Sequence, residues 1–137
     1  MMTQISAYLN FNGNCREAMS FYKNCLGGEL SLQTVEGSPM EAGCPSGVKH
    51  QILHSSLTKN GLILMGSDMV SPEGLRMGNN ISLSLNCSSK EEITRFYKAL
   101  SNGGKIIEPL RVQFWGAMFA VLKDKMGIIW MLNYNKK

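Results

Sequence analysis

An internal repeat constrains this chain more than any other feature. The sequence Phe-Tyr-Lys occurs at 21–23 and again at 96–98, an offset of 75 residues (96 − 21). Each copy then runs on to a pair of adjacent glycines, at 27–28 and at 103–104, with one extra residue in the second copy. A repeat of this period indicates a duplicated supersecondary unit, because each copy carries the same ordered pattern.

The sequence pattern of each copy predicts one strand, one helix and three further strands. Apolar residues alternate over 5–11 and 81–87, the period-two pattern of a strand with two different faces. Asn14, and Ser88 or Ser89, are N-cap residue types ahead of amphipathic helical patterns that the paired glycines end. The later strand-like runs are 29–35, 50–58 and 62–67 in the first copy and 105–110, 116–123 and 127–134 in the second.

The repeat predicts an α+β fold of two tandem βαβββ modules in a single domain over 1–137, with module one at about 1–70 and module two at about 79–137. Each helix covers one face of its sheet, so we expect the two other faces to be buried against each other around a barrel-like cleft. The proline- and glycine-rich segments 37–47 and 68–80 are expected loops. The second would link the modules, and the first is long enough to form a rim over a pocket.

Composition excludes several classes of protein. Apolar and charged contents of 44% and 18% are ordinary for a globular chain, so intrinsic disorder is excluded. The apolar stretches are too short to span a bilayer and the N-terminus lacks signal-peptide regions, so we expect a cytoplasmic protein with no membrane partner. The net charge of +4 is spread along the chain without a basic stripe, which argues against nucleic-acid binding.

The cysteines suggest neither a zinc site nor a disulfide framework. Cys15, Cys25, Cys44 and Cys87 include no CxxC pair and no cluster with histidine. In a reducing compartment we expect them to be thiols packed as small apolar residues.

Four segments resemble PhnB-like proteins of the vicinal-oxygen-chelate superfamily, which includes glyoxalases and bleomycin-resistance proteins. They are AYLNFNGNCREAMSFYKNCLGGEL, ILHSSL, SLSLNCSSKEE and QFWGAMFAVLKDKMGIIWMLNY, and they span nearly the whole chain. The resemblance implies the glyoxalase/bleomycin-resistance fold, a small-molecule ligand and a homodimer. Members of this family often carry a demethylubiquinone methyltransferase label. A methyltransferase of the usual kind needs a glycine-rich strand-to-helix turn for S-adenosylmethionine, and the glycine pairs here end helices instead.

The resemblance also implies where a divalent metal would bind in the superfamily. His54 matches the histidine of the third strand of module one, whereas Ser82 and Met131 stand at two ligand positions of module two. The first strand of module one offers Ser6 or Tyr8. Hydroxyls and a thioether hold hard divalent ions weakly, and Met131 cannot accept a proton as a base would. We therefore predict no tight metal or other cofactor, with His54 the only strong candidate ligand for a weakly bound ion.

Candidate ligand contacts follow from strand parity and from two adjacent aromatic residues. His54 is either a core or cavity-lining histidine hydrogen-bonded to a neighbour, or a histidine inside the cleft that binds a metal or contacts a ligand such as an anionic small molecule. Phe114 and Trp115 cannot both point inward on a regular strand, so one should line the cleft or a dimer surface. Asp68 either caps the adjoining loop, which we favour, or reaches the pocket rim. The predicted ligand-binding residues are His54, Tyr8, Ser82, Phe114, Trp115 and Met131.

The functional prediction is a small-molecule-binding protein of the glyoxalase/bleomycin-resistance type, with no catalytic residue assigned. The alternative is a divalent-metal-dependent isomerase, lyase or dioxygenase of the same superfamily. A third possibility is a structural or regulatory module whose cleft is filled by its own side chains.

Overall fold

The protein was analysed as a computed structural model that describes residues 3–39, 50–68, 73–114 and 116–135. Within these residues the same order of elements occurs twice. The first set is β1 (Ala7–Asn10), α1 (Cys15–Leu26), β2 (Glu29–Thr34), β3 (Ile52–Lys59) and β4 (Leu62–Ser67). The second set is β5 (Leu83–Asn86), α2 (Lys90–Ser101), β6 (Lys105–Val112), β7 (Met118–Lys123) and β8 (Ile129–Tyr134).

Each set folds into a four-stranded mixed sheet, in the order β1-β4-β3-β2 in one and β5-β8-β7-β6 in the other. The first strand of each set runs parallel to the last, and the remaining pairs are antiparallel. Tyr8 lies opposite Met65 in unit 1 (Met1–Arg76), and Ser84 lies opposite Met131 in unit 2 (Met77–Lys137). The predicted fold of two tandem βαβββ modules is confirmed, while the barrel-like cleft stays a prediction.

Several predicted strands are longer than the observed ones. The runs 5–11 and 81–87 shorten to β1 and β5, and Ile5 and Ile81 outside them are exposed. Alternation of apolar residues identified these strands, but it does not show where the neighbouring strand ends and the pairing stops. The segment 73–80 has no regular structure, in agreement with the expected loop, and residues 40–47 of the other predicted loop lie outside the described residues.

The core of each unit forms where its helix packs on its sheet. In α1, Cys15, Met19 and Tyr22 recur at three- and four-residue steps and are fully buried. In α2, Ile93, Phe96 and Leu100 recur at the same steps and are buried. Each such side chain contributes roughly 1.5–3 kcal/mol by leaving water, so these two apolar stripes fix which face of each sheet is covered.

The two helices begin with different capping groups. In α2 the N-cap is Ser89, whose hydroxyl accepts a hydrogen bond from Glu92 N at 3.0 Å, as its residue type predicts. Asn14 lies at the N-cap position of α1, but the capping acceptor there is Asp68 at the end of β4. One carboxylate oxygen of Asp68 accepts from the backbone N–H groups of Gly13 and Cys15, both at 2.9 Å, and the other accepts from Ile52 N at 2.8 Å. Asp68 therefore caps α1 and joins β4 to the starts of α1 and β3, whereas the prediction placed its cap on the adjoining loop.

The second glycine of each pair permits close packing of the helix end against a strand. A Cβ on Gly28 would lie 2.6 Å from the Thr58 carbonyl oxygen, and Gly28 also has a φ of +102°. A Cβ on Gly104 would overlap the Lys123 carbonyl oxygen. Thr58 and Lys123 are on β3 and β7, the third strands of the two units, so the repeated glycines serve the same contact twice.

Asp124 organises the turn between β7 and β8. One of its oxygens accepts hydrogen bonds from Met126 N and Ile128 N at 2.7 and 3.1 Å, and the other accepts from the indole N–H of Trp130 at 2.8 Å. This buried carboxylate therefore joins the turn to β8.

None of the helices in the described part of the chain has the length and apolarity needed to cross a membrane.

Candidate functional site

The face of the unit 1 sheet that points away from α1, here called the far face, carries several polar side chains. Ser55 is buried and contacts the Cys15 thiol of α1, with 3.6 Å between Oγ and Sγ. Because successive side chains on a strand alternate, His54 and Ser56 point to the far face. Met65 lies opposite Ser56 in the sheet and Tyr8 lies opposite Met65, so both belong to the same face.

Tyr8 and His54 are in contact on the far face. The Tyr8 hydroxyl is 3.3 Å from His54 Nδ1, and the two ring centroids are 5.8 Å apart with 31° between the ring planes. The residues lie on β1 and β3, which β4 separates, so the Tyr8 side chain reaches diagonally across β4. Tyr8 is 44% exposed and His54 is also exposed. His54 is therefore hydrogen-bonded to a neighbour but is not part of the core, and its role as a cavity-lining or ligand-contacting residue stays a prediction.

This pair offers hydrogen-bonding chemistry at the surface of a mixed polar and apolar sheet. A phenol O–H both donates and accepts, and an imidazole presents one nitrogen to its neighbour and the other outward. Met65 between the two strands supplies an adaptable apolar surface. Such an arrangement can hold a small molecule by one or two directed hydrogen bonds beside an apolar contact.

The equivalent positions of unit 2 carry different chemistry. Ser84 and Met131 are paired as Tyr8 and Met65 are, so Ser84 occupies the place of Tyr8. In unit 1, Met65 lies opposite Ser56, and His54 is two residues before Ser56 on β3. In unit 2, Met131 lies opposite Val121, and Phe119 is two residues before Val121 on β7. Phe119 therefore stands where unit 1 has His54. The two units therefore share the same strand register, but of these equivalent positions only those of unit 1 carry a phenol and an imidazole.

The other predicted site residues belong to unit 2. Ser82 precedes β5 and is exposed. It is not the strand partner of Met131, because that partner is Ser84. Met131 is half-buried on β8. Phe114 follows β6 and is 98% exposed. Trp115 lies outside the described residues.

Two further polar pairs in unit 2 were not foreseen from the sequence. Asn133 Nδ2 donates to Asn86 Oδ1 at 3.4 Å, across the parallel pair β5–β8. Arg111 forms an ion pair with Glu108 at 3.1 Å, because register irregularities in β6 bring both residues to one face. Their shared face follows from these bulges, which local sequence patterns do not reveal.

The donor set around His54 does not fit the metal site that the superfamily implies. Among the described residues there is no cluster of three or more His, Cys, Asp or Glu side chains able to hold a metal. The nearest carboxylate along β2 on this face is Glu29, which lies opposite Thr58, four residues from His54 along β3. A divalent ion of the harder kind needs several oxygen or imidazole ligands in one place, and a phenol and a thioether do not supply them.

Cys15 and Cys87 are protonated thiols rather than nucleophiles. Burial raises the pKa of Cys15 to about 11 and that of Cys87 to about 11, so neither is a thiolate near neutral pH. Cys15, Cys25 and Cys87 form no disulfide among the described residues, as expected, and Cys44 lies outside them.

Comparison with known proteins places this geometry in a family. A protein-family model described as 3-demethylubiquinone-9 3-methyltransferase matches residues 3–133. Protein YjdN of Escherichia coli (strain K12) is 33% identical over 142 residues, which cover 97% of this chain and 96% of YjdN.

Solved structures extend the comparison. Protein PA1353 from Pseudomonas aeruginosa has a TM-score of 0.85 at 38% identity, covering 99% of this chain and 100% of that one. A putative 3-demethylubiquinone-9 3-methyltransferase, PhnB protein, from Bacillus cereus has a TM-score of 0.71 at 28% identity, covering 97% and 100%. A glyoxalase/bleomycin resistance protein/dioxygenase family enzyme from Burkholderia phytofirmans PsJN has a TM-score of 0.60 at 16% identity, covering 93% and 96%, and shows the fold alone.

The tandem βαβββ units have the fold of the glyoxalase/bleomycin-resistance, or vicinal-oxygen-chelate, superfamily. The chain belongs to the PhnB-like family described as 3-demethylubiquinone-9 3-methyltransferase. The resemblance noted in the sequence is thereby confirmed.

The starts of the two helices do not fit S-adenosylmethionine. A cofactor held at a strand-to-helix turn takes hydrogen bonds from the first backbone N–H groups of the helix. Here the N–H groups of Gly13 and Cys15 at the start of α1 are bonded to Asp68. The N–H of Glu92 at the start of α2 is bonded to Ser89. The chain's own side chains thus occupy groups that such a cofactor would use.

Proposed function

We propose that this protein binds a small organic molecule on the far face of the unit 1 sheet, as a glyoxalase/bleomycin-resistance-like protein without a tight catalytic metal. Tyr8 and His54 are the polar contacts of the proposed site. The observation that carries the proposal is their exposed hydrogen-bonded pair, 3.3 Å between Tyr8 Oη and His54 Nδ1.

Position and energetics both favour a binding role for this pair over a structural one. A hydrogen bond between exposed side chains adds at most about 1 kcal/mol to stability, so folding does not require it. By contrast, the buried polar groups Asp68 and Asp124 make several bonds each and hold the fold. An exposed pair of directed groups beside an apolar side chain is what a ligand site needs.

Histidine NMR tests the proposal, because His54 is one of only two histidines. The side-chain resonances of His54 would be followed while a library of small carboxylates, phosphates, ketones and amines is added. We expect binders to shift the His54 signals and to leave those of His50 unchanged. His50 lies outside β3, is exposed and has its Nδ1 3.6 Å from the Glu36 carboxylate, so it is the matched internal control.

Two variants complete that experiment. His54→Ala is expected to weaken a binder found in the screen at least about tenfold, a loss of about 1.4 kcal/mol. His50→Ala is expected to leave its affinity unchanged. Equal affinity in wild type and in a folded His54→Ala variant would contradict the proposal.

The alternative function, a divalent-metal-dependent isomerase, lyase or dioxygenase, would use the exposed His54 imidazole as a metal ligand. Calorimetric titration of metal-stripped protein with nickel, zinc and manganese separates it from the first proposal. We expect no saturable binding at sub-micromolar affinity, because the described neighbours of His54 lack the carboxylates and imidazoles of a stable site. Saturation near one ion per chain that His54→Ala abolishes would make the alternative the leading one.

We also propose that the protein is a homodimer. Apolar side chains are exposed on and after β6, at the edge of its sheet: Ile106, Ile107, Val112 and Phe114. Exposed apolar groups along an edge strand are typical of protein contacts. Light scattering at micromolar concentration should give a mass of twice 15.2 kDa, and a monomer mass would contradict the proposal.

A further inference from the structure

We infer that Tyr8 is a positioning residue that fixes which nitrogen of His54 carries the proton, and that the ligand of this site therefore presents an acceptor oxygen. In this arrangement the Tyr8 hydroxyl donates to Nδ1 of His54, so the neutral imidazole holds its proton on Nε2. The outward N–H then binds a carboxylate, phosphate or carbonyl oxygen. The inference deepens the proposed function and rests on it.

The first step concerns the direction of the hydrogen bond. The contact joins Tyr8 Oη to Nδ1 at 3.3 Å and leaves Nε2 as the second ring nitrogen. A neutral imidazole has one donor and one acceptor nitrogen, and the partner of one nitrogen decides the state of the other. A phenol is the better donor of the two groups, because its oxygen lone pairs are partly delocalised into the ring. Nδ1 is therefore the acceptor and Nε2 carries the proton.

The second step concerns competing partners for Nδ1. A carboxylate near Nδ1 would draw the proton onto that nitrogen and reverse the arrangement. On β2, the residue opposite His54 is Gln33, whose side chain carries no charge. The carboxylate of Glu29 lies opposite Thr58, four residues along β3, or about 13 Å away at the rise of a strand. On β1, the residue that reaches His54 is Tyr8 itself.

The third step concerns the ligand. A neutral His54 with its proton on Nε2 offers a donor and no outward lone pair, so it binds oxygen acceptors and does not bind ammonium groups. The equivalent residues of unit 2, Ser84 and Phe119, cannot reproduce this pair. The inference therefore assigns one such site to each chain.

Nitrogen-15 NMR of the ligand-free protein tests the tautomer directly, at a pH where His54 is neutral. We expect His54 to show an acceptor-type Nδ1 and a protonated Nε2. The conservative variant Tyr8→Phe should convert this to a mixture of tautomers, with His50 unchanged in both proteins. A protonated Nδ1 in the wild type, or the same tautomer in folded Tyr8→Phe, would overturn the positioning role. Because no ligand is added, this result is independent of whether the proposed binding function holds.

The ligand class is tested with three simple probes, namely acetate, inorganic phosphate and methylammonium, titrated while the His54 signals are observed. We expect acetate and phosphate to shift them saturably and methylammonium to have no effect. Tyr8→Phe should weaken the acetate and phosphate responses severalfold. If methylammonium is equal or stronger, or if no probe shifts His54, the assigned ligand class is wrong even where the tautomer is as inferred. A response to phosphate alone narrows the class to phosphate esters and supports the inference.

Discussion

Among the individual residues, Asp68 shows how a single carboxylate can replace a local capping signal. Its two oxygens accept three backbone hydrogen bonds from the starts of α1 and β3, and the residue is only 5% exposed. The N-cap type at Asn14 suggested a local cap, and the acceptor instead comes from 54 residues further along the chain (68 − 14). Long-range caps of this kind depend on tertiary packing, so local sequence patterns only hint at them.

Replacing this carboxylate should be costly. Asp68→Asn keeps the shape but removes the charge and one acceptor oxygen, so a buried N–H loses its partner. We expect a loss of about 2–4 kcal/mol in the free energy of unfolding, measured by urea denaturation. Glu73→Gln, which removes an exposed carboxylate nearby in sequence, is the matched control and should change little. Equal stability of the two variants would show that Asp68 does not hold these elements.

The buried thiols predict how stability depends on pH. The pKa of Cys15 in the folded protein is about 11, against an ordinary value of 9.0, because burial disfavours the thiolate. A folded-state pKa above the unfolded one means that the contribution is fully present below about pH 9 and is lost as the pH rises through about 11. Cys87 has a shift of the same direction and cause.

We therefore expect the free energy of unfolding to fall between about pH 9 and pH 11. In Cys15→Ala, the free energy of unfolding should fall less over this pH range than in the wild type. The difference in unfolding free energy between wild type and variant should therefore narrow as the pH rises. Urea denaturation at closely spaced pH values measures both curves. A difference in unfolding free energy between wild type and Cys15→Ala that stays constant over this pH range would contradict the burial of a protonated Cys15 thiol.

At the scale of elements, the sequence predicted each helix and strand found among the described residues, because the signals of such elements are local. Period-two alternation marked the strands, and a three- to four-residue recurrence marked α1 and α2. Strand ends were less accurate, as at Ile5 and Ile81, because pairing depends on the neighbouring strand. The parallel pairing of β1 with β4 was not read from the sequence either, since it brings together segments about fifty residues apart.

The repeated glycines give a prediction at this scale. Gly28→Ala and Gly104→Ala would each place a Cβ against the backbone carbonyl of a neighbouring strand, and that strand cannot move aside cheaply. We expect each variant to lose at least about 2 kcal/mol in the free energy of unfolding. Gly61→Ala is the control, because a Cβ there meets no atom of the described residues within 4 Å. Similar losses in all three variants would mean that general backbone entropy, and not these contacts, accounts for the effect.

For the whole molecule, the duplication explains both what could be predicted and what could not. The family resemblance made His54 a candidate, and the parity of its strand made Tyr8 another. Their contact could not be predicted, because it needs β1 beside β4 and a side chain that crosses β4. The divergence of the second copy to Ser84 and Phe119 became interpretable only when pairing registers fixed which residues are equivalent.

The prediction that residues 1–137 form a single domain can be tested by thermal unfolding. If module one and module two belong to one domain, heating should give one cooperative transition, with the calorimetric and van't Hoff enthalpies equal. The fluorescence of Trp130, which is buried in unit 2, and histidine signals from unit 1 should then report the same midpoint. Two separated midpoints would show that the units fold independently.

The central claim is that unit 1 alone carries a ligand site built on Tyr8 and His54. Isothermal titration of wild type, His54→Ala and His50→Ala with the tightest binder from the NMR screen tests it most directly. The claim predicts one equivalent bound per chain, at least about tenfold weaker binding in His54→Ala and unchanged binding in His50→Ala. Two equivalents per chain, or full affinity in a folded His54→Ala protein, would contradict it.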